Sequence, residues 1–330
     1  MTPLAPTLEG FFAERLMSQR NASPNTIGAY RDTFRLLLRF MEDRTGRRAS
    51  RLGIEDLDAE SIGAFLAHLE TERHNSVATR NARLAAVHSF FGFAALRHPE
   101  HAGLIARVLA IPPKRTDKRV VPFLNEEEVG ALLESPNQSS WVGRRDYAMI
   151  SVAIETGLRV SELVGLSCND VHLEGPVAYV RCFGKGRKER TTPLLRATTA
   201  LLRTWMRERG GAPDDPLFPT SKGQRLSPDA VERRLTKYLA VAQRACPSLG
   251  NKRLSPHVLR HTCAVTLLRA GVDIVVIALL LGHETIRTTQ IYLDADLTLK
   301  ERALARTTPR EVKVGRYRPA DPLLAFLENL

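Results

Sequence analysis

Cysteine is scarce in this sequence and forms no local pair. Cys168, Cys182, Cys246 and Cys263 include no C-x-x-C spacing, which excludes a zinc ribbon or a disulfide scaffold and fits reduced thiols in the cytoplasm. Long apolar runs are also missing. The longest, Ile274 to Leu281, is far shorter than the ~20 residues of a membrane helix. The opening, MTPLAPTLEGFF, places no basic residue before an apolar run, so no signal peptide is expected. No glycine-rich nucleotide loop occurs, and the acidic residues show no paired metal-ligand spacing; no cofactor and no metal are expected. What is left is a chain of 330 residues, 43% hydrophobic, long enough for two domains with their own cores.

Positive charge is present in excess. The formal net charge is +12, which points to a polyanionic partner without naming it. The excess is uneven: up to Pro112 there are 14 Lys and Arg against 12 Asp and Glu, and from Pro113 onward 34 against 24. The first part can therefore bind a polyanion only through a local basic face, while the second carries a strong field.

Residues 1–110 read as helical. Leu8 to Gln19 has apolar residues at helical spacing. Ser23-Pro24 is a cap followed by a proline tolerated in the first turn. After it Ile27, Tyr30, Phe34, Leu37, Leu38 and Met41 form a stripe of period near 3.6, until Gly46 ends the helix. The opposite face carries Arg31, Arg35 and Arg39, spaced by four. Further helices are expected near 59–70 and 76–96, the last with Arg80 and Arg83 on one side. The expectation is a four-helix unit with an arginine-bearing face. Residues 111–122 are rich in proline and charge, which excludes regular structure; Lys114, Arg115, Lys118 and Arg119 make this linker a basic strap suited to a phosphate backbone.

The second part, 123–310, opens with Asn125 as cap and three glutamates in the first turn. A helix near 143–155 is followed by Thr156-Gly157-Leu158-Arg159-Val160-Ser161-Glu162-Leu163. From Asp170 the period becomes strand-like, with a tight turn at Gly184-Lys185-Gly186 and the basic residues Arg187, Lys188 and Arg190 beyond it. Helices are expected at 195–209 and 228–244. Ser255-Pro256 starts another helix, with His257 and Arg260 on one face of its first turns, where free N–H groups favour an anion. Then come Leu281-Gly282-His283, with His283 expected to be exposed after a left-handed Gly282, and Tyr292 nine residues on.

The ordered set H-x-x-R, L-G-H and Tyr, preceded by T-G-x-R-x-x-E-L and a hairpin lysine, resembles the signature of the tyrosine recombinases, the lambda-integrase-like family. That resemblance implies a fold that is mainly α with a small antiparallel β-sheet in the C-terminal domain. It implies two domains, a helical core-binding domain and a catalytic domain, forming a C-shaped DNA clamp. It implies catalytic roles for Arg159, Lys185, His257, Arg260, His283 and Tyr292, with Glu162 supporting the site. The arginines would clamp a phosphodiester, His283 would donate to it, and His257 would help move the tyrosine proton. Tyr292 would attack to give a 3′-phosphotyrosine while Lys185 protonates the leaving oxygen. Arg31, Arg35, Arg39, Arg80, Arg83, Lys114, Arg115, Lys118, Arg119, Arg187, Lys188 and Arg190 are the candidate DNA contacts. No extra β domain is expected ahead of the first helix, so the chain looks more like Xer-type recombinases than arm-binding phage integrases.

The partner implied is double-stranded DNA carrying specific recombination sites, met by a homotetramer or a heterotetramer with a related recombinase, away from any membrane. The tail, 311–330, ends in Leu323, Leu324, Phe326, Leu327 and Leu330, an apolar patch that either packs on its own domain or docks on a neighbouring protomer. Two other readings stand beside recombination. One is a type IB topoisomerase, sharing the chemistry but relaxing DNA as a monomer. The other is a non-catalytic DNA-binding protein on the same scaffold.

Overall fold

A computed structural model describes residues 2–116, 121–184, 189–283 and 285–295, with side chains to Tyr292. Lys118, Arg119, Lys185, Arg187, Lys188 and the whole tail lie outside the described residues. The chain divides into two units at residues 119 and 120.

In the first unit, α1 (Leu4–Gly10) continues through a wider-wound turn, Phe11–Gln19, into α2 (Pro24–Thr45), α3 (Ala59–Thr71), α4 (Val77–Ala94) and α5 (Ala102–Leu109). Ser23, Asp58 and Ser76 each accept a bond from a backbone N–H three residues on, so α2, α3 and α4 are all capped by their own sequence. Gly46, at φ 68°, closes α2 in the left-handed conformation. Phe11 lies at the centre of the core, with Phe12, Phe34, Phe90 and Phe93 each within 6.1 Å, centroid to centroid. The expected four helices are joined by a fifth, α5. It buries only Ile105 and Val108, too few apolar positions for a period to show in the sequence.

The second unit holds α6 (Glu126–Glu134), α7 (Trp141–Thr156), α8 (Val160–Gly165) and strands β1 (Val171–His172), β2 (Tyr179–Phe183) and β3 (Glu189–Pro193). After them come α9 (Arg196–Arg209), α10 (Pro228–Ala245), α11 (Pro256–Arg269), α12 (Ile274–Leu281) and α13 (Arg287–Ala295). The strands form one antiparallel sheet in the order β1-β2-β3, with Val180 opposite Val171 on one side and Thr192 on the other. Asn125 and Glu128 cap α6 reciprocally. The core gathers Trp205, Leu202, Leu217, Leu235 and Leu249, all at most 2% exposed. A second cluster joins Cys263, Ala264, Ile277, Leu281 and Tyr292, which fastens α13 to α11 and α12. All four cysteines are free thiols. Among the described residues no helix is long and apolar enough to cross a membrane.

Candidate active site

The site forms where α12 ends. A helix C-terminus presents carbonyls with no intrahelical donor and a partial negative charge. Here three arginines from three segments meet three successive carbonyls: Arg190 on β3 donates to Leu280 O, Arg260 on α11 to Leu281 O at 2.6 Å, and Arg159, just before α8, to Gly282 O at 2.9 Å. Gly282 is left-handed, φ 64°, and a Cβ there would lie 2.8 Å from Arg190 Nε. The L-G-H glycine therefore serves the turn and makes room for an arginine. Gly157 has the same double requirement: φ is 59°, and a Cβ would lie 2.5 Å from Leu281 Cδ2. Its carbonyl accepts the other arm of Arg260 at 2.6 Å.

Glu162 gathers the arginines. Its carboxylate accepts from the Arg159 backbone N–H at 2.8 Å, the Arg159 guanidinium at 2.9 Å and the Arg190 guanidinium at 2.7 Å. Burial pushes its pKa up, but the Arg159 N–H, the Arg190 charge and the side-chain bonds outweigh this and hold it below the ordinary carboxylate value. One carboxylate thus faces three cations, so the pocket keeps excess positive charge. Arg260 is 4% exposed, and its pKa is pulled down to about 10 by burial and by Arg159. A guanidinium carries more N–H donors than these bonds use, so Arg159 and Arg260 keep donors for a ligand.

Tyr292, on α13, is 1% exposed. Its hydroxyl lies 3.1 Å from His261 Nδ1, and its ring stacks on His283, 6.2 Å between centroids and 20° between planes. Burial raises the phenol pKa, while the charge and hydrogen bonding of Arg260 and the charge of Arg159 act the other way. His283 is half-buried rather than exposed as the sequence suggested, because α13 folds back and lays Tyr292 against it. Its Nδ1 is 2.7 Å from the hydroxyl of Thr289, itself fully buried. A hydroxyl donating to Nδ1 leaves the ring proton on Nε2, the tautomer that can donate to a bound anion. Burial, then Arg260, pulls the His283 pKa down to about 4, so the ring is neutral near pH 7.

Of the residues singled out in the sequence, Arg159, Glu162, Arg260, His283 and Tyr292 come together. His257 is exposed, and its ring lies over His261, 6.3 Å away, rather than on the tyrosine. The residue beside the phenol is His261, one helical turn later, which sequence reading missed although the i, i+4 spacing of the two histidines was visible. Arg190, expected on a DNA backbone, instead turns inward onto Glu162, its side chain 12% exposed. Thr289 was also missed, and nothing in its local sequence marks it. In the first unit Arg31, Arg35 and Arg39 are exposed along α2. Arg80 does not share such a face: it is 7% exposed and donates to Asn81 Oδ1 and Pro112 O. Arg83 is half-buried, its pKa lowered by burial and by Arg73. Arg115 is exposed, and Lys114 Nζ pairs with Glu70 at 2.7 Å, holding the start of the strap on its own unit. Among the described residues no group of three or more His, Cys, Asp or Glu is placed to hold a metal ion.

Known proteins resemble this chain over nearly its whole length. Residues 122–298 match the phage integrase family, and residues 9–98 match the phage integrase N-terminal SAM-like domain. The chain is 53% identical to the putative integrase/recombinase y4rC of Sinorhizobium fredii, over 99% of this chain and 98% of that protein. It is 36% identical to the tyrosine recombinase XerD of Yersinia pestis, over 87% of this chain and 92% of that protein. The fold is similar to that of the XerH site-specific recombinase bound to palindromic difH substrate. That match has a TM-score of 0.70 at 23% identity and covers 88% of this chain and 82% of that one. The match of 122–298 to the family and the full-length relatives show that the chain belongs to the phage integrase family of tyrosine recombinases.

Proposed function

We propose that this protein is a site-specific DNA recombinase that breaks and rejoins strands through a covalent 3′-phosphotyrosine and a Holliday junction. The observation that carries this is the placement of the Tyr292 hydroxyl beside Arg260, with Arg159 contributing charge to the same pocket. A phosphodiester is anionic and resists nucleophiles until fixed positive donors take up the charge that builds on its oxygens. Arg159 and Arg260 supply those donors, and His283 Nε2 adds a third. Tyr292 then attacks phosphorus, the bond to the 5′ oxygen breaks, and the energy of the phosphodiester is kept in the phosphotyrosine. Lys185, which follows β2 in the sequence, is assigned the protonation of the leaving oxygen. Rejoining reverses these steps and needs no nucleotide.

The surrounding assignments follow from charge and sequence. The exposed row Arg31, Arg35, Arg39 and the strap residue Arg115 meet backbone phosphates. Lys118, Arg119, Arg187 and Lys188 are assigned phosphate contacts of the same kind from their charge. Four protomers on two duplexes, alike or shared with a related recombinase, carry out the exchange, with the apolar tail 311–330 docked head to tail on a neighbour.

A duplex nicked just beyond the scissile phosphate loses its 5′-hydroxyl end by diffusion and traps the covalent complex. Wild-type protein should form this complex at a preferred sequence, and mapping the peptide should place the link on Tyr292. Unspecific relaxation of supercoiled plasmid by a monomer would favour the topoisomerase reading instead.

A further inference from the structure

A buried tyrosine is a poor nucleophile until something takes its proton, and the described pocket offers few candidates. Arg159 and Arg260 cannot accept a proton. His283 lies face to face with the phenol ring, and its Nδ1 is engaged with Thr289. His257 is exposed, one turn away. The Cys263 thiol donates to Glu155 O. His261 Nδ1 remains, 3.1 Å from the hydroxyl. The direction of that bond follows from the neighbours. Arg260 can only donate toward the phenol oxygen, so the phenol proton is free to point at Nδ1.

We propose that His261 is a catalytic residue, with Nδ1 taking the phenolic proton as Tyr292 attacks phosphorus. The inference rests on the strand-exchange reading above. In the step, the Tyr292 O–H bond breaks and its proton moves to Nδ1. An Oη–P bond forms, and the P–O5′ bond breaks with its electron pair going to the 5′ oxygen, which Lys185 protonates. On rejoining, the imidazolium returns the proton to Tyr292 as the phosphotyrosine bond breaks. Burial and the neighbouring His257 and Arg260 keep the free imidazole neutral near pH 7, its pKa about 4, so its lone pair is available before the substrate enters. The phosphate brings negative charge beside the ring, which favours the imidazolium as attack proceeds.

The test uses the full-length protein and the nicked duplex, in single turnover. His261→Gln keeps an oxygen that can accept the phenol hydrogen bond but cannot hold the proton, and it should cleave about a hundredfold more slowly. His261→Ala should be as slow and should recover at least roughly tenfold with added imidazole, which a packing role would not produce. A 5′-bridging sulfur makes the leaving group good without an acid. It should restore Lys185→Ala but leave both His261 variants slow, since their defect is on the attacking side. Melting temperatures check that each variant is folded. Cleavage by folded His261→Gln within about twofold of wild type, or its rescue by the sulfur substrate, would overturn the assignment while leaving the function intact. Absence of any adduct with wild-type protein would remove the function and this inference together.

Discussion

Replacing Glu162 by Gln tests how the site is held together. Glu162 is 5% exposed and accepts three bonds, two from guanidinium groups and one from a backbone N–H. Removing one partner of a buried ion pair costs ~3–5 kcal/mol. Each arginine keeps a carbonyl of the α12 end, so the lower figure applies: ~3 kcal/mol, or roughly 6–12 °C in melting temperature for a domain of this size. The pH dependence has a definite sign. The folded-state pKa lies below the ordinary 4.5, so the carboxylate's stabilisation is present above that value and is lost as pH falls through the folded-state pKa. The gap between wild type and Glu162→Gln should therefore be widest near neutrality and close in acid. Thermal melts at a series of pH values read this directly. A variant that melts within 2 °C of wild type at pH 7, or a gap that widens on acidification, would show that the carboxylate does not organise the arginines (roughly 1 kcal/mol or less being involved).

Other expectations follow from single contacts. Gly157→Ala must place a Cβ 2.5 Å from Leu281 in a left-handed backbone; it should lose ~2–4 kcal/mol in denaturant melts, and a loss under ~1 would contradict the geometry. Thr289→Val removes the partner of His283 Nδ1 and should slow single-turnover cleavage by roughly tenfold with little change in DNA affinity, because the ring is freed to take the wrong tautomer. Exchanging Arg31, Arg35 and Arg39 together for alanine should weaken binding on specific and random duplexes alike. If all three meet phosphates, it should also flatten the log-affinity against log-salt slope by about 0.9 per contact. Tyr292→Phe should bind its site normally yet leave no covalent complex on the nicked duplex, and a persistent adduct would move the nucleophile elsewhere.

Much of this molecule is written in short-range chemistry. Serine-proline pairs, Asn125 with its glutamates and the glycines after α2, α7 and α12 mark helix ends that depend only on neighbouring residues, and the structure places these ends as the spacing predicts. Arg159, Arg260, His283 and Tyr292 could be singled out because their motifs, in this order, resemble the tyrosine recombinase signature. Which of them touch is a different matter. Whether a histidine meets the phenol depends on how α13 lies across α11, and that packing selects His261 over His257 although both sit on one face of one helix. Arg190 reads as a surface cation in a basic hairpin, yet strand pairing and the carbonyls at the end of α12 draw it inward to Glu162. Arg80 is likewise taken from a basic face to bind Pro112. Side chains of the same type part company because burial and the supply of acceptors are set by segments far away in the chain, and no local pattern carries that information.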